Sequence, residues 1–175
     1  MTVHRIRVAG DPVLRRKTRN VKKIDASIQR LIDDMVDTLH YAHGVGLAAP
    51  QLGRSERVAV IHLPGEDEEL IVLINPQFVK RSGQRRLEEG CLSVPGYVAE
   101  VTRSESVTVK ALNREGRSFR VRAKNDLLAQ ALEHELDHLD GVLYIDYLES
   151  ADELIPVQTR EEAEAAVGED EPANR

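Results

Sequence analysis

The sequence predicts an α+β fold, in which mainly antiparallel strands pack around a C-terminal helix bearing an HExxH sequence, with a second, N-terminal helix. Three observations predict it: a helical spacing of apolar residues near residue 30, short β-branched segments between residues 57 and 122, and a capped helical stretch after residue 125. Helices beside strands joined by short turns are typical of this class. The 175 residues suffice for one domain with a hydrophobic core.

The first helix is predicted from six apolar residues that recur at helical spacing, with aspartates on the opposite side. These residues are Ile28, Leu31, Ile32, Met35, Val36 and Leu39. Asp25 or Ser27 can cap the start of this helix, and Gly44 can end it. Asp11-Pro12, further upstream, predicts a turn.

Short, β-branched segments predict strands in the middle of the chain. Arg57–Leu63 and Leu70–Ile74 are two of them, and Asn75-Pro76 is expected to close the second. Ser106–Leu112 and Ser118–Arg122 flank a turn-forming tetrapeptide and predict a β-hairpin.

A second helix is predicted from a capping residue, Asn125 or Asp126, to about Asp140, where Gly141 stops it. The apolar segment Val142–Ile145 then returns to the body of the protein.

The distribution of charge separates a body from a tail. The net charge is −6, and residues 159–175 hold six acids and two bases, so residues 1–158 are almost neutral. We expect residues 1–158 to form a single domain and residues 159–175 to be an acidic, disordered tail. A nearly neutral body argues against a protein that binds nucleic acid through a basic surface, and no sequence-specific nucleic-acid partner is expected.

Neither a targeting segment nor a membrane span is predicted. The first ten residues are interrupted by charge, and the longest aliphatic run, Leu70–Ile74, is far shorter than the ~20 residues of a spanning helix. We therefore expect a cytoplasmic protein without a membrane partner. The single cysteine, Cys91, cannot form an internal disulfide.

The second helix carries the pattern of a metal site. His134 and His138 are four residues apart, so both rings can reach one ion, and Glu135 lies beside the first histidine, where it can reach a water on the metal. Leu127 and Ala131 share the histidine face and can line an apolar pocket. Two ordinary histidines beside a solubilising glutamate are the alternative interpretation.

Cys91 is the candidate third ligand. It lies in Glu89–Ser93, next to Gly90 and shortly before Pro95-Gly96, so the backbone is expected to bend there and present a thiolate. A buried structural cysteine is the alternative.

A third segment, Gly44–Gln51, is rich in glycine and alanine, which leaves its backbone open to close approach by another chain. Gln51 can donate its amide N–H to a developing oxyanion. The alternative is a helix end followed by a tight loop in which Gln51 is merely solvated.

Together, Gly44–Gln51, Glu89–Ser93 and His134–His138 resemble, in this order, the three signature motifs of the peptide deformylases. The resemblance covers roughly Ile6 to Leu148 and includes three further segments: Gly10–Arg15, Asn75-Pro76 and His138–Tyr144.

The resemblance implies a metallo-hydrolase that removes the formyl group from the N-formylmethionine of newly synthesised polypeptides and releases formate. It further implies that Cys91, His134 and His138 bind one divalent metal ion with water as the fourth ligand. The family's ion is usually Fe²⁺, and Zn²⁺, Ni²⁺ or Co²⁺ could replace it.

The resemblance also implies roles for other residues. Glu135 takes a proton from the water and delivers it to the leaving amine, while the Gln51 side chain and the Leu92 backbone N–H stabilise the oxyanion. Asp137 would form a structural ion pair with Arg103.

The resemblance also suggests candidate substrate-binding residues by their positions in the chain. The methionine side chain would enter an apolar pocket, and the peptide backbone would pair as an added strand with exposed chain. The pocket candidates are Val45, Leu87, Leu127 and Ala131, and the backbone candidates are Val45, Gly46 and Gly90.

Two other classes of protein remain open. One is a zinc endopeptidase or amidase, whose third ligand would lie downstream of the helix, where Asp146 and Glu149 are available. The other is a binding module stabilised by a structural metal, although such sites usually use more cysteines than the one present here.

Some deformylases end in a basic helix thought to dock on the ribosome, whereas this chain ends in the acidic residues 159–175, which ribosomal RNA would repel. Transient proximity to the ribosome is expected, without docking through this tail. Deleting residues 159–175 should leave formate release from a formyl-methionyl peptide unchanged. A large loss of turnover would show that the tail takes part in the reaction.

Overall fold

The computed structural model describes residues 2–65 and 69–157, so the predicted acidic tail lies outside the described residues. Two helices pack with mainly antiparallel strands, which confirms the α+β class. Within these ranges, no helix is long and apolar enough to cross a membrane.

The helices are α1, Ala26–Tyr41, and α2, Leu127–Leu139. The strands, in chain order, are β1 Gly46–Ala48, β2 Val58–Leu63, β3 Glu69–Ser82, β4 Arg85–Cys91, β5 Val94–Arg103, β6 Ser106–Leu112, β7 Ser118–Lys124 and β8 Ile155–Pro156. They form a five-stranded sheet of order β1-β2-β3-β6-β7 and a three-stranded sheet of order β4-β5-β8, with antiparallel pairing throughout.

The two helices cover opposite faces of the five-stranded sheet. Along β2, Val58 and Val60 pack in the cluster that includes the apolar stripe of α1, whereas Ala59 and Ile61 pack in the cluster that includes α2. This division follows from the period of two along a strand. Helix α2 is therefore held by the larger sheet, and its other side is free to carry polar groups.

The predicted caps are found, but the first helix ends earlier than expected. Asp25 accepts hydrogen bonds from the backbone N–H groups of Ser27 and Ile28. Helix α1 ends at Tyr41, and His43, with φ of 51°, takes the left-handed conformation, so the helix ends before Gly44. Gly44 instead lies close against Leu39, at a place where a Cβ would be only 2.8 Å from its Cδ1.

Strand β3 is much longer than the sequence predicts, because Asn75-Pro76 does not end it. The β3–β6 register shifts between Ile74 and Gln77, so a bulge absorbs the proline and pairing resumes. Asn75 has φ of 53°, and its side chain exchanges two hydrogen bonds with the backbone of Val21. The asparagine thus anchors the N-terminal segment to the sheet.

Strands β4 and β5 were absent from the sequence prediction. Charged residues dominate β4, and β5 contains Pro95-Gly96, which reads as a turn. Their core is a small cluster of Val94, Ala99, Val101 and Tyr144, the last from the segment predicted to return to the body. The buried side of this sheet packs against the segment that follows α2, and the sheet places the end of β4 beside α2.

Gly141 permits the chain to leave α2, since its φ is +79° and a Cβ there would lie 2.8 Å from the backbone carbonyl of Arg15. We expect Gly141→Ala to lower the free energy of unfolding by more than the ~1–2 kcal/mol that the left-handed conformation alone costs an alanine. Gly116→Ala is the matched control, because Gly116 has φ of +77° and only an ordinary contact at 3.6 Å. Urea unfolding of both variants measures the difference, and equal losses would contradict the steric argument.

Candidate metal centre and adjoining cleft

Three potential metal ligands converge where the end of β4 meets α2. The ligand atoms of Cys91, His134 and His138 all lie within 4.8 Å of one another. Cys91 Sγ is 3.2 Å from His138 Nε2, which is itself 3.2 Å from His134 Nε2. The structure therefore brings together the residues that sequence analysis proposed as ligands.

Local geometry presents each of these side chains. The two histidines are one helical turn apart on α2. Cys91 begins the tight connection to β5, where the β4–β5 register shifts between Gly90 and Cys91, and its sulfur accepts the backbone N–H of Ser93 at 3.3 Å. The bend predicted around the cysteine is present and turns its sulfur toward the helix.

The donor set fits a divalent transition metal. A sulfur with two imidazole nitrogens suits such ions, and the observed 3.2 Å between the nitrogens is close to the ~3.3 Å that tetrahedral coordination implies. No fourth histidine, cysteine or acid joins the group within the described residues. Burial lowers the pKa of His138 and favours the neutral ring that coordinates a metal.

The two acids considered for a zinc endopeptidase do not join this group. Asp146 is engaged by Arg15 and by the backbone N–H of Leu143, and Glu149 is exposed. The cysteine, rather than a downstream carboxylate, completes the set of three.

Glu89 orients the first histidine. Its carboxylate is 2.6 Å from His134 Nδ1, which assigns the proton to Nδ1 and leaves Nε2 directed at the other ligands. Burial opposes ionisation of Glu89, but hydrogen bonds from His134 and Arg103 outweigh it and lower the pKa to about 2. Sequence analysis quoted Glu89 without giving it a role. The spacing of Glu89 could have indicated this role, because Glu89 lies two residues before Cys91 and residues two apart on a strand share a face.

Arg103 holds Glu89 in place and links it to α2. The guanidinium, only 4% exposed, bonds both carboxylate oxygens of Glu89 at 3.0 and 2.6 Å and reaches Asp137 at 2.6 Å. The pair of Arg103 and Asp137 that the family resemblance implied is present. Asp137 also accepts the hydroxyl of Tyr147 at 2.8 Å.

Glu135 is buried against the backbone of Gly46. A Cβ at position 46 would lie 2.2 Å from Glu135 Oε1, so only glycine fits in β1 opposite this carboxylate. Oε2 is buried and has no hydrogen-bond partner within the described part of the chain. Burial raises the pKa of Glu135 to about 7. A carboxylate that is packed on one oxygen and unpartnered on the other is suited to exchange a proton with a small molecule.

Gln51 is fixed with its amide nitrogen toward the ligands. Its side chain is buried, Oε1 accepts the backbone N–H of Ala48 at 2.8 Å, and Nε2 donates to Ser93 Oγ at 3.1 Å and toward Cys91 Sγ at 3.8 Å. The solvated alternative for this residue is therefore excluded. Leu92, which follows the cysteine, lines the same cleft.

A cleft of about 540 Å³ adjoins the ligands. Of the predicted substrate-binding residues, five line it: Val45, Gly46, Gly90, Leu127 and Ala131. Leu87 does not, because it lies opposite Val101 in the β4–β5 register and packs in the core of the smaller sheet. Sequence analysis missed several lining residues: Glu88, Pro95, Gly96, Tyr97, Gln130 and Val157.

Two strand edges border the cleft. Strand β1 is terminal in the larger sheet and β4 is terminal in the smaller one, and both contribute lining residues. An extended chain entering the cleft would therefore meet backbone hydrogen-bonding groups on two sides.

Comparisons with known proteins agree with this architecture. The family model described as Polypeptide deformylase matches residues 3–153. The chain is 53% identical over 154 residues to a peptide deformylase of Dehalococcoides mccartyi strain CBDB1, covering 88% of this chain and 91% of that protein. It is 44% identical to a peptide deformylase of Thermomicrobium roseum, covering 96% of this chain and 99% of that protein.

Solved structures show the same fold. A peptide deformylase from Legionella pneumophila is 46% identical, with a TM-score of 0.83 over 87% of this chain and 89% of that one. A peptide deformylase from Synechococcus elongatus, solved in complex with actinonin, is 40% identical, with a TM-score of 0.81 over 85% of this chain and 82% of that one.

Since Glu89 orients His134, Glu89→Gln should weaken metal binding ~10–100-fold, as loss of a carboxylate behind a ligating histidine typically does. Competition with a chromophoric chelator measures the affinity, and circular dichroism establishes the folded fraction. Glu88→Gln is the control, because the Glu88 carboxylate is exposed and, among the described residues, does not belong to the group of candidate ligands. Equal metal affinity of the two variants would exclude the orienting role.

Proposed function

Since the chain belongs to the peptide deformylase family and removes the N-terminal formyl group from newly synthesised polypeptides, we propose that Cys91, His134 and His138 hold the metal ion of this hydrolysis. The observation that carries the proposal is the convergence of these three side chains, within 4.8 Å, beside the buried carboxylate of Glu135 and the amide of Gln51. We propose Fe²⁺ as the ion, and the same donors would accept Zn²⁺, Ni²⁺ or Co²⁺.

The metal would supply Lewis acidity and lower the pKa of a water molecule toward neutrality. Glu135 would accept a proton from this water and deliver it to the leaving amine, since its Oε2 lacks a partner in the described chain and the carboxylate lies beside the ligands. The oxygen of this water would bond to the formyl carbon, the C–N bond of the formyl amide would break, and formate and a free amino terminus would result.

Charge that develops on the formyl oxygen would be stabilised by the Gln51 side chain and the Leu92 backbone N–H. The hydrogen bond from Ala48 to Gln51 Oε1 supports this role, because it leaves the amide Nε2 as the group directed at the reacting centre. A donor held rigidly in advance needs no reorganisation during the reaction.

The substrate backbone would pair with the edges of β1 and β4 at Val45, Gly46 and Gly90. The methionine side chain would occupy the apolar part of the cleft formed by Val45, Leu127 and Ala131. Leu127 is 42% exposed, so a bound side chain would bury it. Actinonin, which the Synechococcus elongatus protein binds, is expected to occupy the same cleft.

We further propose that residues 1–158 form a single catalytic domain, that the protein works in the cytoplasm, and that it approaches the ribosome only transiently. The first of these is supported by the family match, which ends at residue 153.

Glu135→Gln tests the proposed proton transfer. The variant should retain metal and lose formate release by ~10²–10⁴-fold, the range typical of a lost general acid–base group. Metal analysis and a formate-release assay on anaerobically purified protein give both quantities. Glu149→Gln, which alters an exposed carboxylate, should retain metal and full activity.

Cys91→Ser distinguishes the metal assignment from the proton-transfer assignment. This variant should lose bound metal as well as turnover, because a hydroxyl is a poor substitute for a thiolate on these ions. Retained metal in Cys91→Ser combined with loss in Glu149→Gln would favour the endopeptidase type of site and overturn the proposal.

A further inference from the structure

The face of the five-stranded sheet formed by β3, β6 and β7, on the same side as α1, is strongly basic. Five exposed cations define this surface, called here the basic sheet face: Lys80, Lys110, Arg120, Arg122 and Lys124. The opposite side of the same strands, with Val107, Val109 and Ala123, is buried against α2. The cations are thus an outward-facing set on a rigid support.

The strand register places the cations in cross-strand rows. Lys80 pairs with Thr108, which pairs with Arg122, and Ser82 pairs with Ser106, which pairs with Lys124. Neighbouring strands are ~4.8 Å apart, so Lys80 and Arg122 flank the threonine at a backbone separation of roughly 10 Å. Lys110 and Arg120 pair directly and extend the set along both strands.

The strand segments that form this face carry no acid, and Glu69 lies at the far end of β3. Residues 70–82, 106–112 and 118–124 contain no aspartate or glutamate. None of the ion pairs among the described residues involves the five cations. The apolar contacts of α1 lie on β1, β2 and the first half of β3, and they reach β6 only at its last residue, Leu112, at the end of the strand away from the groove.

A shallow groove of about 320 Å³ runs through the basic sheet face. Three of the cations, Lys80, Arg122 and Lys124, line it together with the hydroxyl-bearing Ser82, Ser106 and Thr108. Cations interleaved with hydroxyl donors are the groups that contact phosphate oxygens in nucleic-acid complexes.

We propose that the basic sheet face binds the phosphate backbone of RNA. The charge complementarity of the face argues for a polyanion. RNA is the polyanion present where the substrate arises, because the chain acts on polypeptides that have just been synthesised. In this respect the inference rests on the proposed function. The contacts would be made to phosphates and would carry no sequence preference.

The composition of the face favours RNA over an anionic membrane. Membrane-surface binding combines cations with apolar side chains that enter the lipid. Val79, at the β3 bulge, is the one large apolar side chain that the described part of these three strands exposes besides Leu70 at their far end. The face offers charge and hydroxyl groups without an apolar anchor.

The inference also refines the expectation drawn from net charge. Residues 1–158 are nearly neutral as a whole, which argued against a basic surface. The average conceals a local excess, because five unpaired cations share one sheet face among the described residues. Local potential, rather than total charge, governs encounter with a polyanion.

The test compares two triple variants of the full chain with the same change in net charge. One, Lys80→Gln/Arg122→Gln/Lys124→Gln, removes the groove cations. The other, Lys17→Gln/Lys22→Gln/Arg86→Gln, removes exposed cations elsewhere. The probe is a short fluorescently labelled RNA hairpin, and anisotropy titrations at several salt concentrations give the dissociation constant and its salt dependence.

The groove variant should bind the hairpin more weakly, and the slope of log K against log salt should fall by about 3, near 1 for each lost phosphate contact. The control should keep the wild-type slope. Both variants should release formate from a free formylated peptide at the wild-type rate. Failure of the RNA-binding proposal is therefore separable from failure of the proposed function. Equal slopes in the two variants would overturn the proposal. So would loss, in the groove variant, of binding to phosphatidylserine vesicles with hairpin binding unchanged.

Discussion

The arrangement of the site depends on one buried guanidinium. Arg103, at the end of β5, is bonded to Glu89 on β4 and to Asp137 on α2, so one side chain ties the smaller sheet to the helix that bears both histidines. Burying charged groups is costly, and a set of this kind contributes little to stability compared with well-packed apolar residues. Its contribution is positional, because it fixes Glu89 against His134 and thereby sets the direction of the His134 Nε2 atom.

Close approach between β1 and α2 imposes the second constraint. The absence of a side chain at Gly46 lets the carboxylate of Glu135 lie against the strand, and the same strand leads directly to the buried Gln51. Three chain segments distant in sequence are thereby brought within a few ångströms of one another. The candidate ligands come from the end of β4 and from α2, and the groups proposed to assist the reaction, Glu135 and Gln51, come from α2 and from the segment after β1.

Sequence patterns predicted the parts that are set by local periodicity. The helical stripe of Ile28 to Leu39, the caps at Asp25 and Asp126, and the β6–β7 hairpin all follow from neighbouring residues. These patterns did not predict β4, because charged residues dominate it, or β5, because it contains Pro95-Gly96, which is typical of a turn.

Other features needed the register of distant strands. Which residues face each other determines the core position of Leu87, the bond between Arg103 and Glu89, and the rows of cations on β3, β6 and β7. A bulge such as that at Asn75 shifts this pairing and is invisible to composition. Spacing in the sequence therefore identified the chemical groups, whereas register decided what surrounds them.

The position of the cleft between two free strand edges has a consequence for how widely the enzyme can act. Main-chain amides and carbonyls are the same in every polypeptide, so a groove that binds them does not discriminate among the side chains that follow the first residue. With the proposed pairing of the substrate backbone, one catalyst would serve many different polypeptides, and its selectivity would rest on the first residue of each.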